Sequence, residues 1–310
     1  MFLVVGATGS VGLGGEICRR LRAAGKPTRA LVRATADGDR VAHLRRVGVE
    51  LVEGDLKNPR SLGAACAGIE TVISTASIMA SRQPGDTVEN VDARGQHDLV
   101  DAARAAGVAS FVFVSFSPGI DREFPFRNAK RAVERQLKRS GLVYTILQPT
   151  FYMEVWLAPI GGFDFANARA SIYGRGSNQI SWVSMEDVAR FAAMSVDTPA
   201  ARNATFELGG PQALTPLEAV RIFEDIGGRR FEVEFVSEEQ LEEQQDRAAN
   251  SLEESLAGLR RCYAAGDVIE MSATLATFPM TLTSVRDYAR RVLFPSQMTA
   301  PNPSDARARP

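Results

Sequence analysis

Three glycines at three-residue spacing are the first residues that could do chemistry. Gly6, Gly9 and Gly12 follow residues 2–5, a short apolar run rich in branched side chains. Such a run predicts a strand buried on both faces, and a helical pattern starts after the glycines. A strand, a glycine turn and a helix in this order are typical of a dinucleotide-binding turn, in which the helix N-terminus faces a pyrophosphate.

Each glycine has an expected task in such a turn. Gly6 would permit the tight bend, Gly9 would admit a pyrophosphate close to the backbone, and Gly12 would let the helix pack closely on the strand. The alternative is a turn of an α/β protein that binds no nucleotide. Gly14 and Gly15 inside the helix are unexpected, because each costs about 1 kcal/mol relative to alanine there.

An arginine ends the second predicted strand. Arg33 would lie near the ribose 2′ position of a bound dinucleotide, where a guanidinium binds a 2′-phosphate and a carboxylate binds a 2′-hydroxyl. No Asp or Glu occurs between Lys26 and Ala36. The sequence therefore favours NADP(H) as the cofactor, and an arginine that only solvates a strand end is the alternative.

The elements that must position these residues alternate regularly in the first half of the chain. We expect strands at residues 2–5, 29–33, 49–52, 71–74, 111–115 and 144–147. Helical patterns fill the intervals, at about residues 11–24, 41–47, 62–66, 91–106 and 126–139. Alternation at this spacing predicts an α/β fold with a doubly wound parallel sheet.

The second half is less regular. Residues 151–156 and 160–165 are rich in aromatic and glycine residues without a clean period, as in a pocket wall or a lid. Further strands are expected at residues 180–183, 206–208 and 231–236, and helices at about 185–196, 216–226, 238–264 and 283–293. Residues 295–310 are rich in proline without an apolar period, and we expect a disordered tail there.

The overall composition excludes several classes of function. The 310 residues are 45% hydrophobic and 24% charged, with a net charge of −1. This charge offers no footprint for nucleic acid or an anionic membrane, and no apolar run approaches the roughly 20 residues of a membrane span. The scattered cysteines and the two histidines predict no metal site. Because Met1 leads directly into the first strand, we expect no targeting peptide and a cytoplasmic protein.

Five motifs form a recognisable set. They are Gly6-Ala7-Thr8-Gly9-Ser10-Val11-Gly12, Leu31-Val32-Arg33, Gly54-Asp55-Leu56, Gln148-Pro149-Thr150-Phe151-Tyr152-Met153-Glu154 and Ser184-Met185-Glu186-Asp187-Val188-Ala189. Over about 210 residues they resemble the atypical short-chain dehydrogenases/reductases, in particular the NmrA-like and isoflavone-reductase-like branch, although Gln148 replaces an arginine. The resemblance implies an NADP(H)-binding Rossmann domain over residues 1–150 with return segments at about 180–208, and a smaller substrate-binding region over residues 151–294. Members include reductases of aromatic natural products and quinones, and also cofactor-sensing regulators without turnover.

The resemblance also implies a set of cofactor contacts. These are Gly6, Thr8, Gly9, Ser10, Val11, Gly12, Arg33, Asp55, Leu56, Thr75, Ala76, Ser77, Ser115, Lys130 and Pro149. Asp55 lies where the family contacts adenine. A helix or turn cap is an equally good interpretation of this aspartate.

Lys130 lies where the family places its active-site lysine, in the helix that follows the strand ending at Ser115. An ammonium there can hydrogen-bond the nicotinamide ribose and help polarise or protonate a substrate. Common short-chain enzymes have a proton-donating tyrosine four residues earlier, but here that residue is Phe126. A lysine that merely snorkels from the edge of a buried helix face is the alternative.

Without that phenol, the proton of a reduction must come from another group. The candidates are Lys130, Tyr152 and water, although Tyr152 could equally be an amphipathic packing residue. Ser115 and Ser117 follow the fifth strand, at the edge where ligands bind in such sheets. They could orient a substrate or simply cap the strand.

The sequence predicts an NADPH-dependent reductase of a small, largely apolar carbonyl, enone, imine or quinone. Its expected partner is that small-molecule substrate, and neither nucleic acid nor a membrane is expected. The alternative is a regulatory protein that senses NADP(H) and binds a protein partner without turnover. Sugar-nucleotide epimerase chemistry is disfavoured, because the tyrosine of the Tyr–Lys pair is missing.

Overall fold

The computed structural model describes residues 1–10, 12–79 and 82–295. Its strands are β1 (Phe2–Val5), β2 (Thr28–Val32), β3 (Glu50–Glu53), β4 (Thr71–Ser74), β5 (Ser110–Val114), β6 (Val143–Pro149), β7 (Phe163–Asp164), β8 (Arg169–Tyr173), β9 (Ala204–Leu208) and β10 (Glu232–Val236). Its α-helices are α1 (Leu13–Ala23), α2 (Gly38–Arg46), α3 (Pro59–Cys66), α4 (Gln96–Ala105), α5 (Pro125–Arg139), α6 (Met153–Trp156), α7 (Met185–Ser195), α8 (Pro216–Gly227), α9 (Glu238–Asp246), α10 (Ser251–Ala265), α11 (Ser272–Thr277) and α12 (Val285–Leu293). A π-helix over Val88–Gly95 runs directly into α4.

A parallel sheet forms the centre of the described chain. Its seven strands lie in the order β3-β2-β1-β4-β5-β6-β9, and every neighbouring pair is parallel. Apolar side chains of α1, α2 and α7 pack on one face, and those of α3, α4 and α5 pack on the other. This arrangement confirms the predicted doubly wound α/β fold. The whole of β1 is buried, as its unbroken apolar pattern predicts.

A second, smaller sheet follows β6 and was not expected in full. Its order is β10-β8-β7, with β8 parallel to β10 and antiparallel to β7. The sequence predicted β10, but β7 has only two residues and β8 mixes polar and apolar residues. Such short elements carry little periodicity of their own.

The strand predicted at residues 180–183 is wrong. Ile180 forms single bridges with Leu214 and with Asp267, and Val183 forms one with Tyr152. The backbone partners of this segment therefore belong to three different parts of the chain, and no continuous ladder can form.

The single acidic helix predicted over residues 238–264 is also wrong. It is two helices, α9 and α10, separated by residues 247–250. Asn250 caps α10, because its side-chain oxygen accepts from the amides of Leu252 and Glu253. An asparagine competes with the helical backbone for these bonds, which favours a new helix start over continuation.

The glycine turn differs from its prediction in one position. Gly6 has a φ of +97°, as a tight bend requires, but a Cβ on Gly12 would meet nothing within 4 Å. The expectation that Gly12 permits close packing is therefore wrong. Gly12 has a φ of +84° and precedes α1 in a left-handed conformation. The close approach is made by Gly14, where a Cβ would lie 2.5 Å from the carbonyl oxygen of Gly6.

Two sequence predictions fall on residues outside this description. One is Val11 in the glycine turn, and the other is residues 296–310 of the expected tail. Among the described residues, every helix is too short or too polar to cross a membrane.

The close approach of α1 predicts that Gly14→Ala destabilises the fold. The added methyl would collide with the backbone of Gly6, which cannot move without displacing β1, so we expect a loss of about 1–3 kcal/mol in the free energy of unfolding. Gly63→Ala in α3 is the control, because a Cβ there meets nothing within 4 Å and should stabilise the helix by up to about 1 kcal/mol. Urea unfolding measures both, and equal stabilities of Gly14→Ala and the parent would contradict the assignment.

Candidate functional site

Two adjoining cavities lie at the carboxyl ends of the central strands. The first, the narrow cavity, has a volume of about 60 Å³ and is lined by Val5, Gly6, Thr8, Gly9, Leu31, Arg33, Gly54, Asp55, Leu56, Thr75, Ala76, Ser77 and Val91. β1 and β4 are neighbours in the sheet, but the chain continues from β1 to β2 on one side and from β4 to β5 on the other, so the strand order reverses between them. A crevice at such a switch point is where parallel α/β sheets bind ligands.

The second cavity, the aromatic cavity, has a volume of about 230 Å³ and opens from the same glycine turn. It shares Gly6, Gly9, Thr75 and Ser77 with the narrow cavity. The two cavities therefore form one groove along the edge of the sheet. Its far wall is apolar and comprises Phe116, Ile120, Phe126, Phe151, Val155, Trp156, Ile160, Tyr173, Leu256 and Leu259.

Most of the predicted cofactor residues meet in this groove. Nine of them line the narrow cavity, and Ser115 and Lys130 line the aromatic cavity. Ser10 and Gly12 lie on the outer side of the turn. Pro149 lines neither cavity, and its carbonyl oxygen accepts from the amide of Ser117. Which of these residues touch a cofactor stays a prediction.

Arg33 and Lys57 meet a carboxylate at the end of the narrow cavity. The Arg33 guanidinium donates to Asp86 Oδ2 at 2.6 Å, and Lys57 Nζ lies 2.5 Å from Asp86 Oδ1. Although burial alone would raise it, hydrogen bonds from Lys57 and Arg33 hold the pKa of Asp86 below its ordinary value. Two cations thus share the Asp86 carboxylate, and Lys57 Nζ also lies 3.9 Å from Asp55 Oδ2, so an ion-pair network lies beside the predicted 2′ position.

Arg40 is a second cation near the glycine turn, and the sequence analysis missed it. It lies in the first turn of α2, and its Nη1 donates to the carbonyl oxygen of Thr8 at 3.1 Å. It lines an open depression beside Gly9 and Gly12. The sequence shows that Arg40 follows the second strand, but only the folded structure shows that it contacts the glycine turn.

Asp55 performs the capping task that was one of its two interpretations. Its Oδ1 accepts from the amide of Lys57 at 2.8 Å, and its own amide donates to Ser61 Oγ at 3.1 Å. The side chain therefore stabilises the turn between β3 and α3. Because Asp55 also lines the narrow cavity, its predicted contact with adenine stays open.

Lys130 is buried, with 3% of its surface exposed. Its Nζ donates to the carbonyl oxygen of Val114 at 3.2 Å and lies 4.8 Å and 5.3 Å from the ring centres of Phe113 and Phe126. An ammonium has three donors, and this is the single hydrogen bond of Nζ among the described residues. The snorkelling interpretation is therefore wrong, since the charge stays inside the protein rather than in water.

Buried carboxylates surround this ammonium. Burial lowers the pKa of Lys130, and the negative charges of Asp92 and Glu134 oppose that shift. Asp92 lies on the π-helix and is fully buried; its Oδ2 accepts from the amide of Ile78, and its Oδ1 has no partner among the described residues. A π-helix is frequent at functional sites. Burial raises the pKa of Asp92, and the positive charge of Lys130 opposes that shift, so the two groups influence each other's charge.

Ser115 is held by a buried glutamate. Its hydroxyl donates to Glu134 Oε1, which also accepts from Gln148 at 2.9 Å and from Arg131 at 2.6 Å. Ser117 has a similar structural task, because its hydroxyl donates to the buried carboxylate of Asp267 at 3.0 Å. The strand-capping interpretation therefore fits Ser117, whereas Ser115 also lines the aromatic cavity.

Tyr152 reaches the aromatic cavity, but its hydroxyl is closed off. The oxygen is buried and has no partner among the described residues. Burial raises the pKa of this phenol, with a further contribution from the charge of Glu154. Tyr152 precedes α6 rather than lying in a core helix, and its backbone bridges to Val183. The phenol is thus poorly placed to release a proton.

Glu154 links the start of α7 to α12. Its carboxylate accepts from the hydroxyl of Ser184 at 2.8 Å, from the amide of Met185 at 2.9 Å and from Arg291 of α12 at 3.3 Å. The amide belongs to the first turn of α7, where a carboxylate also offsets the helix dipole. These contacts give a structural reason for the glutamate at the end of the motif over residues 148–154.

Comparison with known proteins agrees with this geometry. The family model described as the NmrA-like family matches residues 1–288. The chain belongs to the NmrA-like family. This confirms the resemblance drawn from the five motifs.

Three similar proteins illustrate the range of this family and fold. An NAD(P)H azoreductase from Xenophilus azovorans is 30% identical over 286 residues, which cover 90% of this chain and 92% of that protein. Photosystem II assembly factor Ycf39 from Trieres chinensis is 29% identical over 74% of this chain and 70% of its own length. The crystal structure of the Citrobacter sp. triphenylmethane reductase complexed with NADP(H) has a TM-score of 0.77 at 22% identity and covers 94% of this chain and all of that one.

The contacts of Glu154 predict that it contributes more to the free energy of unfolding than Glu186 does. Glu154→Gln leaves one acceptor oxygen for the Ser184 hydroxyl, the Met185 amide and Arg291, so we expect a loss of about 1–3 kcal/mol in unfolding free energy. Glu186→Gln is the matched control, because Glu186 forms ion pairs with Arg20 and Arg291 at the surface and should cost less than about 1 kcal/mol. Chemical denaturation compares the two, and equal losses would refute the anchoring task of Glu154.

Proposed function

We propose that the protein is an NADPH-dependent reductase of small, largely apolar hydride acceptors, such as carbonyls, enones, imines or quinones. The observation that carries this proposal is the groove itself. An apolar cavity of about 230 Å³ adjoins the glycine turn and is also lined by Lys130. A substrate in the aromatic cavity would thus lie beside a dinucleotide on the turn.

The residues of the groove fit a dinucleotide. The missing side chains at Gly6 and Gly14 bring α1 close to the turn, so that the amides and the positive end of this helix face the groove. Arg33 and Arg40 would bind the 2′-phosphate of NADP(H), and the unused donors of Lys130 would bind ribose hydroxyls. Residues 151–294, together with α5, would form the substrate-binding part.

Reduction of such an acceptor needs a hydride, which the reduced nicotinamide supplies when bound, and a proton. Phe126 cannot donate a proton, and the hydroxyl of Tyr152 is sealed from the cavity. This leaves Lys130 or a water as the donor. A buried ammonium with a lowered pKa releases its proton more readily than an exposed lysine, and its charge polarises a nearby carbonyl oxygen.

The similar proteins support the same class of reaction. The azoreductase and the triphenylmethane reductase are both named as reductases, and the first is described as using NAD(P)H. The assembly factor is the observation that favours a second candidate, a non-catalytic NADP(H)-binding protein with a protein partner. The open aromatic cavity speaks for the reductase, since a sensor needs no space in front of the nicotinamide.

Cofactor preference is the first test of this proposal. We expect NADPH to bind at least tenfold more tightly than NADH, a difference of about 1.4 kcal/mol. Arg33→Ala and Arg40→Ala should each reduce this preference, because each removes a cation near the 2′-phosphate. Arg45→Ala, an exposed arginine on the same helix as Arg40, is the control. Fluorescence titration measures the affinities, and equal affinities of the parent protein for both cofactors would remove NADP(H) from the proposal.

Lys130→Met separates the two candidate functions. Methionine keeps the packing of the stem and removes the charge, so NADPH affinity should fall modestly while turnover with quinones and enones falls about a hundredfold. Asp92→Asn should lower the pKa of Lys130 further, since a negative charge that stabilises the ammonium is lost. The basic limb of the kcat–pH profile should then shift to lower pH. A protein that never oxidises NADPH with any acceptor would instead be the sensor.

A further inference from the structure

A second cation lines the aromatic cavity, far along the chain from the glycine turn. Arg260 lies on α10, and its guanidinium carbon is 5.1 Å from the ring centre of Tyr173. Among the described residues it forms no hydrogen bond and no ion pair. A guanidinium stacked on an aromatic face is held in place, yet its donors stay available for a ligand.

Arg261, the next residue of α10, has its charge paired with another helix. Arg261 donates to Glu242 and Gln245 of α9, so its charge is satisfied by the adjacent helix. Arg260 is directed instead toward the cavity that Leu256 and Leu259 of the same helix also line. The helix thus presents two apolar side chains and one unpaired cation to the same space.

The charged side chains that line the aromatic cavity are cations. Its described lining includes Lys130 and Arg260 and no aspartate or glutamate. Since Asp92 and Glu134 offset the charge of Lys130, the attraction for an entering anion comes from Arg260, which lines the cavity among apolar and aromatic side chains of low dielectric constant. A cationic ligand of the same shape would be disfavoured.

We propose that Arg260 binds a carboxylate or sulfonate group of an aromatic substrate whose rings lie in the aromatic cavity. The preferred substrates are then acidic aromatic hydride acceptors, a narrower class than apolar acceptors in general. The planar fork of a guanidinium matches the two oxygens of such a group. The choice of substrate rests on the proposed reductase function, but the binding of the anion does not.

The phosphates of the cofactor do not account for Arg260. Arg33 and Arg40, the cations expected to contact the 2′-phosphate, line the narrow cavity and the open depression beside the glycine turn, and Arg260 lines neither. Of the cavities described above, Arg260 lines only the aromatic one. It belongs to the half of the chain that carries the small sheet. Its position suits the end of a substrate that is remote from the reacting atom.

Binding of two isosteric probes tests the proposal without turnover. Isothermal titration calorimetry with 2-naphthoate and 2-naphthamide, with and without NADP⁺, compares an anion with a neutral amide of the same shape. The parent protein should bind 2-naphthoate at least tenfold more tightly. Arg260→Met should remove that preference and leave 2-naphthamide affinity within twofold, whereas Arg260→Lys should keep part of it.

Arg261→Met is the matched control and should leave both affinities unchanged. Far-UV circular dichroism and thermal unfolding verify that each variant is folded, and Arg260→Gln serves as a second neutral variant. Equal affinities of the parent for the two probes would overturn the proposal. So would an absence of 2-naphthoate binding, or a preference that survives in both neutral variants.

A turnover experiment separates this proposal from the reductase function. For 1,4-naphthoquinone-2-sulfonate, Arg260→Met should raise KM about tenfold and leave kcat unchanged, whereas KM for 1,4-naphthoquinone should not change. If the naphthoate preference is found but no acceptor oxidises NADPH, anion binding stands and the reductase falls. If both quinones are reduced with parallel KM changes, the reductase stands and the task of Arg260 is refuted.

Discussion

The approach of α1 to the turn after β1 is the constraint on which the groove depends. Gly14 lies so close to the carbonyl oxygen of Gly6 that no side chain fits between them. This contact sets the distance between the helix and the sheet, and it aims the first amides of α1 across the carboxyl ends of the strands. Every other feature of the site, from Arg33 to Lys130, is arranged around the space that this contact leaves.

Along the groove, polarity changes from one end to the other. The narrow cavity has backbone amides, hydroxyls and a shared ion pair around Asp86. The aromatic cavity has rings and aliphatic side chains, with Phe151, Trp156 and Tyr173 packed against the buried Tyr263. A ligand that is polar at one end and apolar at the other would suit this gradient, and Lys130 lines the apolar part.

The sequence predicted what local patterns determine. The run before Gly6, the alternation of strands and helices and the helix expected at about residues 216–226 all depend on neighbours in the chain, and the structure agrees with each. The contact of Gly14 with Gly6 and the pairing of Arg33 with Asp86, 53 residues away, depend on tertiary packing. The position of Arg260 in the cavity also depends on tertiary packing. It follows from the start of α10 after Asn250, where the sequence analysis expected one continuous acidic helix.

The position of β9 has a consequence for synthesis of the chain. β9 supplies the last strand of the central sheet, yet residues 150–203 separate it from its neighbour β6. At about 5–20 residues per second, a ribosome needs roughly 3–10 s to produce that interval. During this time the apolar edge of β6, including Ile146 and Leu147, has no partner strand. An unpaired edge of this kind is a template for pairing with other nascent chains, so the order of the strands along the chain exposes β6 to association during synthesis.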